Sequence, residues 1–207
     1  MVFIPGPFST WGEGRVVFLA GGNVVGEKAV VLIDGMYLQN IENAFGLYGK
    51  VDYQKLSDKL VGTHQRARTY VFDALPHISS PSHANKQKFL DRLSYYDKFQ
   101  VEQGYVKMEQ RMCPKCQQQI DVPRQKKVDV LIATRLLECS LDQKIDKIVL
   151  LAGDGDFVPA VEVAKKKTEI VLAFAEHGNS IGVATSLKKA CDVRIKLDAT
   201  YFSDCAR

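Results

Sequence analysis

An α/β fold with a central, mainly parallel sheet is what this 207-residue sequence predicts, and three observations carry the expectation. Short aliphatic, β-branched runs alternate with segments of helical periodicity, the pattern of strands joined by crossover helices. Two runs, Ala29-Val30-Val31-Leu32-Ile33 and Ile148-Val149-Leu150-Leu151-Ala152, are apolar without interruption, which suits strands covered on both faces. Both are followed by Gly and Asp, the punctuation of a tight turn at a strand's carboxyl end.

Taken in order, residues 1–27 are rich in Gly and Pro, hold the single tryptophan (Trp11) and show no sustained periodicity. They are expected to form a flexible N-terminal extension. A domain is expected over residues 28–200, opening with the strand that ends at Asp34-Gly35. Tyr53–Val61 fits a short helix with Asp52 as its N-cap. Ala67–Ala74 alternates as a strand, Pro81–Gln100 reads as a long helix opening near Ser82, and Tyr105–Glu109 as another strand. Val128–Ser140 is amphipathic, with Val128, Leu131, Ile132 and Leu136 at helical spacing. After the strand at Ile148–Ala152 come a helix over Phe157–Lys167, a strand over Glu169–Ala175, a short helix over Ser186–Ala190 and a strand over Val193–Leu197.

Composition sets bounds. Hydrophobic residues make up 46% and charged residues 25%, ordinary values for a globular chain that can build its own core. The net charge of +4 permits an anionic partner without requiring one. Five cysteines, three of them far apart (Cys139, Cys191, Cys205), do not form the framework of a small secreted domain. No run is apolar and long enough to span a bilayer, and Val16–Ala20 makes a poor signal peptide. A cytoplasmic protein with no membrane partner is the expectation.

The chemistry is carried by aspartates. In an open parallel sheet, ligands bind beyond the carboxyl ends of the strands. One buried strand ends there in Asp34, and another runs into Gly153-Asp154-Gly155-Asp156-Phe157. Asp129 falls in the first turn of an otherwise apolar helix, just after Arg124, Lys126 and Lys127. Carboxylates gathered at one edge repel one another and are tolerated with a bound cation or with raised pKa values. An all-oxygen ligand set suits Mg²⁺ or Mn²⁺. A divalent ion so held can activate water for attack on a phosphodiester, with Arg68, Arg124, Lys126 and Lys127 as candidates to hold the phosphate backbone. Each acid alone also has a structural reading: Asp156 as an N-cap, Asp129 as a complement to a helix dipole, Asp34-Gly35 as a turn.

The same residues resemble a known family. Val31-Leu32-Ile33-Asp34-Gly35 with Tyr37-Leu38, then Lys127-Val128-Asp129-Val130-Leu131, then Gly153-Asp154-Gly155-Asp156-Phe157 look like the three main motifs of NYN domains in the PIN-like nuclease superfamily, with the LabA-like subgroup nearest. Gly182–Ala190 with Cys191-Asp192 is similar to the family's closing segment, so the likeness runs over about Ala29 to Leu197. The resemblance implies a PIN-like α/β/α sandwich and a metal-dependent endoribonuclease acting on RNA. Asp34, Asp129 and Asp154 would be metal-site acids, and Asp156 would complete the pocket or orient water. The chain departs from many members at Tyr37, where asparagine is common, and at Ala152, where Ser or Thr is common. Asn40, nearly a helical turn after Tyr37, is the candidate to compensate at the substrate.

Cys113-Pro114-Lys115-Cys116 sits in a CxxC-containing insert near 110–125. Three readings compete: half of a zinc site completed by another chain or a distant cysteine, a redox pair, or a hairpin turn with incidental cysteines. The turn ranks first because a tetrahedral zinc site needs four ligands and no second CxxC exists. His64, His77, His83 and His177 show no ligand spacing, Ser79, Ser80 and Ser82 read as a helix-start loop, and Tyr95, Tyr96, Phe99 and Tyr105 suit packing before base stacking. Two rivals to the nuclease stand: an RNA-binding or regulatory module with little catalysis, and a phosphatase using the same acids. A homodimer remains open.

Overall fold

The computed structural model describes residues 26–178 and 180–206. Trp11 and the Val16–Ala20 run, and nearly all of the expected 1–27 extension, lie outside those residues. The described chain builds one seven-stranded sheet flanked by helices on both faces, as the sequence predicts.

The strands are β1 (Lys28–Asp34), β2 (Gln65–Leu75), β3 (Phe99–Met112), β4 (Gln119–Lys126), β5 (Lys147–Leu151), β6 (Glu169–Phe174) and β7 (Val193–Lys196). Their order across the sheet is β4-β3-β2-β1-β5-β6-β7. Every neighbouring pair is parallel except β3 with β4, which form an antiparallel hairpin. The helices are α1 (Gly35–Ala44), α2 (Tyr53–Val61), α3 (His83–Ser94), α4 (Val128–Leu141), α5 (Val158–Ala164), α6 (Thr185–Ala190) and α7 (Ala199–Phe202).

The two-residue period of the central strands divides the core into two layers. Ala29, Val31 and Ile33 of β1 pack with Leu38 and Ile41 of α1, Leu56 and Leu60 of α2, Leu90 and Leu93 of α3 and Phe202 of α7. Val30 and Leu32 point the other way, against Val128, Ile132 and Leu136 of α4, Val161 of α5 and Leu187 of α6. A strand clothed on both faces must be apolar at every position. That is why β1 and β5 read as unbroken aliphatic runs.

Several elements depart from the sequence reading. The helix expected over Pro81–Gln100 stops at Ser94, because Lys98 turns through a left-handed conformation (φ 62°) and Phe99 enters β3 opposite Thr69. Ser82 precedes α3 but makes no capping hydrogen bond from its side chain. β3 is far longer than Tyr105–Glu109, since β4 pairs with it along its outer half. Asp52 caps α2 as expected, its carboxylate accepting from the Gln54 and Lys55 N–H groups at 2.9 and 3.1 Å. Among the described residues no helix is long and apolar enough to cross a membrane.

Candidate metal and phosphate site

β1 and β5 are adjacent and parallel, so their carboxyl ends lie side by side. Asp34, last residue of β1, is also the N-cap of α1: its Oδ1 accepts from the backbone N–H of Met36 at 3.0 Å and of Tyr37 at 3.1 Å. The turn foreseen at Asp34-Gly35 is therefore a helix start, and Gly35 is required there. A Cβ on it would fall 2.6 Å from the Asp73 carboxylate and 2.8 Å from the Phe72 carbonyl. Beyond β5, Asp154 accepts from the Asp156 N–H at 3.0 Å and caps the 3-10 turn Gly155–Phe157. The capping role in this turn thus falls to Asp154, which leaves Asp156 exposed. Asp129 occupies the first turn of α4, exposed, while Val128 beside it is buried.

Asp34 and Asp129 both feel neighbouring acids. Burial pushes the Asp34 carboxyl up from 3.8 to about 6, against the pull of the two helix N–H groups, and the charges of Asp129 and Asp73 add to the rise. Asp129 is also raised, by burial first and then by repulsion from Asp154 and Asp156. Among the described residues none of Asp34, Asp129, Asp154 or Asp156 makes a salt bridge. Among the described residues no three His, Cys, Asp or Glu side chains close into a group that could hold a metal ion by themselves. The acids share a field without forming a cage. All donors are carboxylate oxygen, which fits Mg²⁺ or Mn²⁺, and Mg²⁺ commonly takes one or two carboxylates with water and substrate phosphate as its remaining ligands.

A fifth acid, Asp73, escaped the sequence reading. It follows Phe72, the residue opposite Asp34, and is only 3% exposed. Alternation along β2 turns it to the opposite face, where Lys86 of α3 pairs with it at 2.5 Å and the Ala74 N–H donates to it at 2.8 Å. Burial still raises its pKa, with Lys86 pulling the other way. A charged residue inside the apolar run Val71-Phe72-Asp73-Ala74 was the signal available for it. On that side lies a cavity of about 530 Å³ between α1, α3 and the hairpin, touching Asp73 and Lys86 but none of the other four acids.

The basic residues fall into two groups. Register places Lys107 opposite Arg124, Tyr105 opposite Lys126 and Arg111 opposite Ile120, so Lys107, Arg111, Arg124 and Lys126 share one face of the hairpin. Glu109, on the same face, pairs with Lys126 at 2.6 Å and lies 3.8 Å from Arg111. Lys127 joins the hairpin to α4, with its ammonium 5.4 Å from the centre of the Tyr105 ring. Lys107 and Arg111 were missed because the hairpin's second strand was not foreseen. Arg68 is elsewhere: it pairs with Val30, four residues before the Phe72–Asp34 level, about 13 Å back along the strands. There it hydrogen-bonds Gln100 at 3.1 Å. Asn40 is exposed on α1, well beyond the capped first turn.

Tyr37 and Ala152, the two departures, have structural work. The Tyr37 hydroxyl lies 3.2 Å from the Ala175 carbonyl and 3.1 Å from that of Gly182, to which it can donate, and it accepts from the Ala175 N–H at 3.3 Å. Its ring fills the space beside Gly153, where any Cβ would overlap it. Ala152 is fully buried in the α4-side core, where an added hydroxyl would need a partner. The Gly153 carbonyl accepts from the Ala184 N–H at 2.9 Å, which holds the Asp154 turn against the start of α6.

Comparison with known proteins agrees with this architecture. No curated protein matches the chain. Among solved structures, a protein of unknown function, VPA0982 from Vibrio parahaemolyticus RIMD 2210633, is similar in fold. Its TM-score is 0.56 at 16% identity, over 90% of this chain and 99% of that one. The family model of the NYN domain matches residues 28–198, which takes in all the strands, Asp34, Asp129 and the Gly153–Phe157 turn. The chain belongs to the NYN domain family, and with it to the PIN-like nucleases.

Proposed function

We propose that the protein is a metal-dependent endoribonuclease of the LabA-like kind. Asp34, Asp129 and Asp154 would hold Mg²⁺ or Mn²⁺, with Asp156 orienting water. One observation carries the reading: among the described residues Lys86 pairs with Asp73 on the opposite face of the sheet, and no lysine or arginine pairs with the four acids. Like charges left unpaired are costly, and a divalent ion relieves that cost. Such an ion, when bound, neutralises charge on a phosphodiester and lowers the pKa of water.

The chain's own residues do the rest. Lys107, Arg111, Arg124 and Lys126 on one face of the hairpin, with Lys127 at its base, offer positive charge for the RNA backbone. Asp34, protonated below about pH 6, must release its proton to act as a ligand, so metal uptake is expected to improve as pH rises through 6. The five cysteines are all free thiols, in keeping with a reducing, cytoplasmic setting.

Asp154→Asn tests the reading. Manganese-dependent cleavage of single-stranded RNA should disappear while the circular dichroism spectrum is unchanged, and undiminished cleavage by the mutant would overturn the assignment. The open arrangement of the acids favours one rival, an NYN module that binds RNA with little chemistry. Wild type that retains RNA but cuts neither RNA nor a generic phosphate ester with any divalent ion would establish it.

A further inference from the structure

The β3–β4 hairpin ends in Cys113-Pro114-Lys115-Cys116, and its tip is folded in a particular way. The Cys113 N–H donates to the Gln118 carbonyl at 2.8 Å, and the Gln117 N–H donates to the Cys113 carbonyl at 2.8 Å. Gln117, directly after the second cysteine, is left-handed (φ 56°), a conformation unfavourable for a residue other than glycine. The bond from Gln117 to Cys113 closes a single turn of chain that holds both cysteines. Cys116 is exposed, Cys113 is partly so, and neither is in a disulfide.

A tetrahedral structural zinc site takes four protein ligands. This turn offers two, and among the described residues no third His, Cys, Asp or Glu joins them. Cys139, Cys191 and Cys205 are buried in the two cores, and residues 1–25 contain neither cysteine nor histidine. The missing pair must come from another chain. A second copy offers the same pair, and a two-fold axis through the metal makes the ligand set complete. We propose that Cys113 and Cys116 bind Zn²⁺ together with the same two cysteines of a second copy, joining two hairpins tip to tip. Four thiols lose four protons, and one Zn²⁺ takes their place. Met108 and Met112, exposed on one face of the same arm, add apolar surface close to the junction.

The test uses full-length protein, purified with reductant and exposed to zinc, then dialysed. Metal analysis is expected to find about half a zinc per chain, and light scattering during gel filtration twice the mass of one 23.1 kDa chain. Cys116→Ser should drop zinc below about a tenth per chain and restore the monomer with an unchanged circular dichroism spectrum. Asp154→Asn should keep both zinc and dimer, which separates this site from the acidic one. A cobalt-loaded sample should show intense thiolate charge-transfer absorption, and Cys113→Ser should lose it. Zinc-free wild type, one zinc held by a monomer, or a dimer that survives Cys116→Ser would each overturn the proposal. So would a zinc-free dimer held only by an intermolecular disulfide on a non-reducing gel.

Discussion

Asp34→Asn should make the metal-free protein more stable, the reverse of what replacing a buried residue usually does. Asp34 titrates at about 6 in the fold against 3.8 for the group in a free chain. As pH climbs, the unfolded chain therefore gives up its proton first, and the folded state loses ground until Asp34 itself ionises near pH 6. At 1.36 kcal/mol per pH unit, the loss above that point is about 3 kcal/mol, an upper figure because water can relax around the ion. Asparagine stands in for the protonated acid. Its amide oxygen can still accept from the Met36 and Tyr37 N–H groups, so the cap on α1 survives. Thermal unfolding in chelator should show the mutant melting higher at pH 7.5 by about 4–10 °C for a domain of this size. The two curves should converge below about pH 3, where Asp34 is neutral in the folded and unfolded chain alike. Adding Mn²⁺ should raise the melting temperature of wild type and leave the mutant nearly unmoved, since a ligand that binds only the folded state stabilises it. A mutant that melts lower at pH 7.5, or keeps its advantage at pH 3, would refute the account of a buried, uncompensated carboxylate at this edge.

Three further outcomes follow from the geometry. Tyr37→Phe removes the hydroxyl shared by Ala175 and Gly182 and should cost about 1 kcal/mol in urea unfolding, with the Mn²⁺-induced shift retained. Gly153→Ala forces a methyl group into the Tyr37 ring and should cost about 1–3 kcal/mol; the double change with Tyr37→Ala should recover part of that loss, and strict additivity would deny the contact. Lys107→Gln with Arg124→Gln, at a cross-strand pair that makes no salt bridge, should flatten the dependence of RNA binding on salt by about 0.7 per lost phosphate contact, as filter binding from 50 to 200 mM salt would register. Arg68→Gln, far back along β2, should leave that slope unaltered.

The sheet was legible because burial on both faces writes itself as uninterrupted Val, Ile and Leu, as in β1 and β5. The Asp52 cap was legible for a similar reason: a short polar side chain one residue before a helical pattern has little else to do. The hairpin was legible only at its turn, and its second strand was not. β4 is an edge strand with little buried surface, so it has no apolar alternation to announce it, and it carries Pro123, which an edge tolerates and a central strand does not. α1 was hidden behind its own start. Asp34-Gly35 satisfies the rule for a turn as well as the rule for a cap, and the choice is made by Leu38 and Ile41 finding the core.

The acids divide by the same parity that builds the core, and this decides how they are read. Asp34 falls on the α4 side of the sheet and Asp73 on the α3 side, although Asp73 follows directly on the residue opposite Asp34. α3 brings a lysine to its face, and α4 brings an aspartate to its own. A fold selected only for stability would neutralise both, since a cation within reach of Asp34 would lower its pKa toward the ordinary range. Lysines and arginines are not scarce here; Lys126 and Lys127 precede α4 immediately, yet Lys126 is committed to Glu109 and Lys127 lies over Tyr105. The positive charge is gathered on the hairpin instead of on the acids. That separation, an acidic edge kept open to an incoming cation and a basic arm kept open to an anion, is what a phosphodiester and its metal ion require together, and an ordinary helix cap or turn requires neither.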